Sequence, residues 1–156
     1  MVKFRRSESL NNLSASLENY LETIVMLKRK KKHARIGDIA KSLNVKSSSV
    51  NIAINFLAEN GLVMHEKYGY VDLTNKGEKI ALEIQGKHEV LYRFLSNMLF
   101  IDSKIADREA CEIEHSVSLE TVHRLERLCT LLKEYFLVRD EDSVNLKRYL
   151  EKCKNY

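Results

Sequence analysis

At 156 residues, the chain is long enough to bury a real core, as one domain or two small ones. A hydrophobic content of 44% with 31% charged residues is ordinary for a soluble globular protein, and no apolar run approaches the roughly 18 residues of a membrane span. Three widely spaced cysteines, Cys111, Cys129 and Cys153, argue against a disulfide framework and for a reducing, cytoplasmic setting.

With no proline and only 5 glycines, the composition predicts a mainly α protein. Charge is unevenly spread. Residues 1–60 hold 11 Lys and Arg against 5 Asp and Glu, whereas residues 81–156 hold 12 against 14. A basic front half suits a polyanionic partner, although a solvated face explains the charge alone equally well. Residues 1–13 read as a polar basic arm with no apolar stretch of the kind a secretory signal needs.

The first helix is expected after Ser14 or Ser16, with Leu17, Leu21, Ile24, Val25 and Leu27 at helical spacing. It runs out in the Lys28–Lys32 cluster, where cations favour the negative end of the helix dipole. Asn19 and Glu22 lie three apart and share a face of it; taken alone, they read as a solvent-facing pair. Ile36, Ile39, Ala40 and Leu43 then form the stripe of a short helix. Asn44-Val45 breaks it, with Val45 placed to plug the interhelix gap. Ser47 or Ser48 caps a second helix that buries Val50, Ile54 and Leu57. This is the helix-turn-helix pattern.

The start of that second helix offers backbone N–H groups and hydroxyls to a phosphate. Ser47, Ser48, Ser49, Asn51 and Asn55 are the side chains expected to face a major groove. Arg35 and Lys46 complete the candidate DNA-binding set with Lys67, which falls near the tip of a hairpin. That hairpin is predicted from LVMHEKY and YVDLT on either side of Gly69, and Lys67 is placed to touch the sugar-phosphate backbone. Gly61 is positioned to end the second helix. A helix-turn-helix followed by a two-stranded hairpin is a winged helix.

From Lys79 a helix is predicted through about Ile101, carrying His88 on or beside its apolar stripe, where a lone histidine is more often a satisfied core residue than a ligand. After a break at Ile101-Asp102-Ser103, the next helix holds Cys111-Glu112-Ile113-Glu114-His115. Positions i, i+3 and i+4 project from one helix face. The Cys111 thiol, the Glu114 carboxylate and the His115 imidazole therefore sit side by side, a partial coordination sphere for a divalent transition metal. Ser118 caps a further helix through Leu119, Val122, Leu125, Leu128, Leu131, Leu132, Tyr135 and Phe136, a stripe wide enough to serve as a subunit interface. Residues 139–156 read as a charged tail with one more short helix, and Cys129 and Cys153 as structural. The expected division is a basic arm (1–13), a winged-helix DNA-binding domain (14–76), an all-helical metal-binding and dimerisation domain (77–138) and the tail.

Four segments, SLENYLETIVML, the winged helix, GKHEVLYRFL and EACEIEHSVS, occur in order over residues 16–137. Through them the chain resembles the metal-dependent transcriptional repressors of the diphtheria toxin repressor type, and in length their manganese transport regulator branch. The resemblance implies a homodimer that binds a palindromic operator on duplex DNA when loaded with Fe(II) or Mn(II) between its two domains, and represses metal-uptake genes. It places metal ligands at Asn19, Glu22, His88, Cys111, Glu114 and His115, with an ancillary site around His88, Tyr92 and Asp107. The iron-type branch has Met at the position of Asn19 and Cys at that of Cys111; the manganese-type branch has Asp and Glu. This chain combines a manganese-like Glu22 with an iron-like Cys111, and its Asn19 belongs to neither branch. Tyr92 replaces a carboxylate, which puts a complete second site in question. Too few residues follow for the SH3-like domain of the longer members.

A thiolate favours Fe(II), Co(II) or Zn(II) over Mn(II), so Fe(II) is expected first and Mn(II) next. Zn(II), Co(II) or Ni(II) are expected to compete in vitro. Two rival readings follow from the same residues. A metal-independent winged-helix regulator sensing an organic ligand would leave Cys111 as a core residue. An enzyme with Cys111 as nucleophile and His115 as base would need an oxyanion hole and an orienting third group, and no stretch suggests either. No membrane and no small-molecule substrate are expected.

Overall fold

The computed structural model describes residues 13–65, 69–136 and 140–152. The chain divides into two compact units, one ending at Gln85 and the other beginning at Gly86.

The first unit opens with α1 (Ala15–Lys31). Of the two candidate caps Ser14 serves, its hydroxyl accepting the Leu17 N–H at 3.4 Å. Tyr20, Leu21, Ile24, Val25 and Leu27 are buried along one side. The helix stops where Lys32 takes a left-handed φ of 66° and its N–H bonds the Lys28 carbonyl. Lys28, Arg29, Lys30 and Lys31 crowd the last turn, where the helix dipole stabilises cations.

The pair β1 (Ala34–Arg35) leads directly into α2 (Ile36–Leu43), and α3 (Ser47–Glu59) follows. Val45 does not plug the turn between α2 and α3; it is 40% exposed. The turn is closed by backbone instead. Asn44 adopts a left-handed φ of 53°, and the N–H groups of Asn44 and Val45 both reach the Ala40 carbonyl, as helix-ending motifs do. Neither Ser47 nor Ser48 caps α3. Lys46 is its N-cap and makes no side-chain cap bond, because Ser47 is already within the helix and Ser49 and Val50 donate to the Lys46 carbonyl. Val50, Ala53, Ile54 and Leu57 are buried, and Gly61 ends the segment at a φ of +67°.

The hairpin strands are β2 (Val63–His65) and β3 (Tyr70–Leu73), antiparallel, with Val63 opposite Leu73 and His65 opposite Val71. β1 adds to the other edge of β3, Ala34 opposite Val71, so the sheet runs β1-β3-β2. Two residues carry no alternation to read, and this third strand is invisible in the sequence.

α4 (Asn75–Arg93) begins four residues before Lys79 because Thr74 caps it. The Thr74 hydroxyl accepts the Gly77 N–H at 3.1 Å and donates to the Gly61 carbonyl at 2.7 Å, while the Thr74 N–H bonds the Leu62 carbonyl. One threonine thus ties the end of the α3 segment to the start of α4. Ile80, Ala81 and Ile84 join the core made by α1, α2, α3 and the sheet, so the division between units falls inside α4.

In the second unit α4 ends at Arg93, well short of Ile101, and continues as a π-helical turn over Phe94–Met98. Phe100 then turns the chain at a φ of 54°. Asp102 caps α5 (Ser103–Glu114) through the Lys104 N–H, and Ser118 caps α6 (Leu119–Leu131) through the Thr121 N–H. Leu91, Leu95, Ala106 and Ala110 form the buried core, with Ile113, Val117 and Leu125 packed against it. A second π-helical turn (Leu132–Phe136) and α7 (Asp140–Lys152) follow. Among the described residues no helix is long and apolar enough to cross a membrane.

Of the glycines of the first unit, Gly77 is the one most closely approached. A Cβ added there would lie 1.9 Å from the Leu62 carbonyl oxygen, a backbone atom that also accepts from Thr74 and cannot swing away. Gly77→Ala is expected to destabilise the protein by about 3 kcal/mol, the upper range for forced overpacking, measured as a lowered urea midpoint. A midpoint within error of the parent's would show that the α3–α4 junction is not rigid.

Candidate metal centre and nucleic-acid interface

The last turn of α5 presents Cys111, Glu114 and His115 on one side. Their donor atoms, one sulfur, one carboxylate oxygen and one ring nitrogen, all lie within 4.8 Å of one another. Donors sharing one first-row ion at bonds of about 2.0–2.3 Å are at most about 4.6 Å apart. A small side-chain rotation closes the difference. Glu114 is 1% exposed and its Oε1 makes no hydrogen bond. A buried oxygen without a hydrogen bond carries a desolvation cost. His115 Nε2 stands 3.5 Å from that oxygen, and Cys111 is exposed and free of any disulfide. A soft donor, a hard donor and an imidazole around an unsatisfied buried carboxylate oxygen fit a divalent transition ion.

His88, on α4, joins this cluster through the other carboxylate oxygen. Its Nδ1 lies 3.0 Å from Glu114 Oε2, and its Nε2 lies 3.3 Å from Asp107 Oδ1. Tyr92 stacks near it, ring planes 5° apart. The positions expected for an ancillary site therefore come together, held by one imidazole between two carboxylates. The Glu114 carboxylate raises the His88 pKa above its usual value by hydrogen bonding and charge, and Asp107 adds to this; burial opposes them.

Lys87 was not singled out by the sequence. Its Nζ donates to the carbonyls of Glu114 and Val117, both at 3.1 Å, and its side chain is buried. These carbonyls lie where α5 ends and the turn to α6 begins, among the groups a helix leaves without partners. Lys87 thereby holds the donor-bearing end of α5 against α4. A lysine beside a histidine in a helix carries no sequence signal for this.

Asn19 and Glu22 both lie on α1 in the first unit and are half-buried, next to the buried Glu18. They share a face of α1, as their spacing requires.

On the winged helix, Ser47, Ser48, Ser49, Asn51 and Asn55 are all exposed on α3, and Arg35 and Lys46 are exposed at the starts of α2 and α3. Asn51 is turned back on its own helix, its Nδ2 donating to the Ser47 carbonyl at 3.0 Å. Arg35 is held by Tyr70, whose hydroxyl it bonds and whose ring it overlies at 4.7 Å; Tyr70 is a partner that only the β1–β3 pairing reveals. Lys67 lies outside the described residues.

Two family models match. Residues 12–71 fit the N-terminal DNA-binding domain of the iron-dependent repressors, and residues 74–135 fit their metal-binding and dimerisation domain. The HTH-type transcriptional regulator MntR of Bacillus pumilus is 36% identical over 137 residues, which is 88% of this chain and 92% of that protein. Among solved structures, IdeR of T. acidophilum shares 32% identity with a TM-score of 0.65 over 80% of this chain and 55% of its own. A manganese-dependent transcriptional repressor in complex with manganese shares 30% identity with a TM-score of 0.68, over 73% of this chain and 52% of its own. The chain thus spans about half the length of these solved structures, and nearly all of the curated relative.

Two expectations follow from the geometry. Because the folded pKa of His88 is raised, its pairing with Glu114 and Asp107 stabilises the metal-free protein fully below about pH 6.5, the unperturbed value. That stabilisation is lost as pH rises through the raised folded value. Urea midpoints taken in chelator across this window should fall with pH in the parent, and the step should vanish in His88→Gln; parallel profiles would dissolve the pairing. Lys87→Met leaves one buried and one part-buried carbonyl without their donor and is expected to cost about 2 kcal/mol in the same measurement.

Proposed function

We propose, since the chain belongs to the family of iron-dependent repressors, that it is a metal-activated, DNA-binding transcriptional repressor of metal-uptake and metal-homeostasis genes. The observation that carries this is the gathering of Cys111, Glu114 and His115 around a buried carboxylate oxygen that lacks a hydrogen bond. The accompanying unit is a winged helix, and a protein that both holds a metal and reads DNA has a reason to couple the two.

The ligands are Cys111, Glu114, His115 and His88, with Asn19 and Glu22 as the remaining donors and Asp107 ancillary. When bound, the ion supplies the positive charge that the buried Glu114 carboxylate lacks. Glu114 presents Oε1 to the site while Oε2 is steadied by His88, and Lys87 keeps the end of α5 in register. Donors drawn from α1 as well as from the second unit would make metal loading favour one arrangement of the chain. The exposed Leu128 and Leu131 of α6 form part of the surface between two copies, in line with the dimerisation domain that the family model describes. Dimeric winged helices need half-sites about one helical turn apart or a multiple of it, on a palindromic operator. If metal favours the arrangement with that spacing, DNA must in turn tighten metal binding.

The ion is a divalent transition metal. The names of the relatives set Mn(II) ahead, while the Cys111 thiolate draws the preference toward Fe(II); the two are the candidates to rank. A regulator that senses an organic ligand without metal has no observation in its favour.

The test is fluorescence anisotropy of the protein on its own upstream DNA at fixed salt, since phosphate contacts make affinity salt-dependent. It is run in chelator, then with Mn(II), with Fe(II) under anaerobic conditions, and with Zn(II). Affinity should tighten by about tenfold or more with the activating ion, and Glu114→Ala should abolish the response. Tight binding indifferent to chelator and metal would remove the metal-activated reading.

A further inference from the structure

The exposed face of α3 has an unusual chemistry for a helix that enters a polyanion. Its sequence, SSSVNIAINFLAE, contains no Lys or Arg, and its only charge is Glu59 at the far end. Guanine is most often read by Arg or Lys through its O6 and N7; α3 has neither. The Asn51 amide is already engaged with the Ser47 carbonyl. At the middle of the face stands Ile52, 73% exposed, the highest value among the exposed large hydrophobic residues of the described chain. Phe56 follows one turn later at 44%, Ser48 and Ser49 precede it, and Asn55 is three residues on, exposed on the same side.

An apolar β-branched side chain gains nothing from water, and Ile52 is largely outside the core of its unit. The one apolar group that a base pair offers in the major groove is the 5-methyl of thymine. We propose that Ile52 is a specificity-determining residue of α3, packing on thymine methyl groups so that the operator carries A·T pairs beneath it. Asn55 fits the same step, because an Asn amide pairs with the N6 and N7 edge of adenine. Cations outside α3 supply affinity without sequence preference: Arg35, Lys46 and the basic end of α1. Affinity and specificity are then carried by different elements. The inference rests on the DNA-binding reading above and names the chemistry of the sequence read.

The experiment uses the full chain with Mn(II) or anaerobic Fe(II) to select duplexes from a random-sequence pool. Each thymine of the selected duplex is then replaced in turn by 2′-deoxyuridine, which deletes only the methyl group. Wild-type affinity should drop about fourfold at one or two thymines per half-site, the size expected for uncovering one methyl. Ile52→Ala should bind the thymine duplex more weakly by a similar factor and lose its sensitivity to uracil there. It should keep the wild-type far-ultraviolet circular dichroism and its affinity for unselected DNA. If wild-type protein tolerates uracil at every position, or Ile52→Ala remains as sensitive as wild type, the assignment is overturned. If Ile52→Ala changes the oligomeric state instead, the face belongs to a protein contact and the assignment is equally overturned. A folded protein that selects no duplex with any ion would fail at the earlier step, and remove the DNA-binding reading with the inference built on it.

Discussion

The interaction on which the second unit depends is the burial of a single carboxylate. Glu114 is 1% exposed, and a carboxylate so placed is costly unless its oxygens are met. His88 meets Oε2; Oε1 has His115 at 3.5 Å and makes no hydrogen bond. The polar groups around it are arranged in consequence. His88 is itself steadied by Asp107, and the backbone that carries Glu114 is pinned by Lys87. A site built this way stores an electrostatic deficit at one atom, and a cation is what relieves it.

The first unit depends on a different constraint, close backbone approach. Gly77 allows α4 to start against the Leu62 carbonyl, and Thr74 bonds to both sides of that junction. The hairpin and the end of α3 are thereby fixed to a helix whose next turns supply Ile80, Ala81 and Ile84 to the core. The end of the α3 segment is thus held by main-chain contacts at this junction. The ion pairs Lys28–Asp72 and Lys31–Asp38 join exposed or half-exposed groups, a class that contributes little.

The division of labour proposed for the DNA-binding unit follows the same economy of placement. Cations are kept off α3 and stand at the end of α1 and at the starts of α2 and α3. Long-range attraction to phosphate tolerates loose positioning, whereas contact with a base edge does not. Small polar and apolar side chains on a rigid helix are suited to the second task.

What the sequence determined by itself was whatever depends on local spacing. The i, i+3, i+4 spacing of Cys111, Glu114 and His115, the buried set Val50, Ile54 and Leu57, the Ser118 cap, the Gly61 stop and the hairpin around Gly69 are all local, and each is present in the structure. The four ordered segments were enough to indicate the family. Contacts between residues distant in the chain were not legible. Nothing near Lys87 indicates that it reaches carbonyls 27 and 30 residues away, and nothing near Ala34 announces a strand partner at Val71. Val45 and the serines of α3 look like plug and cap by type, yet a left-handed Asn44 and the helix start at Ser47 displaced both roles. Periodicity reports which face of an element is apolar. Only the folded chain decides which groups stand opposite it, because burial and hydrogen bonding are settled by neighbours that sequence order does not bring together.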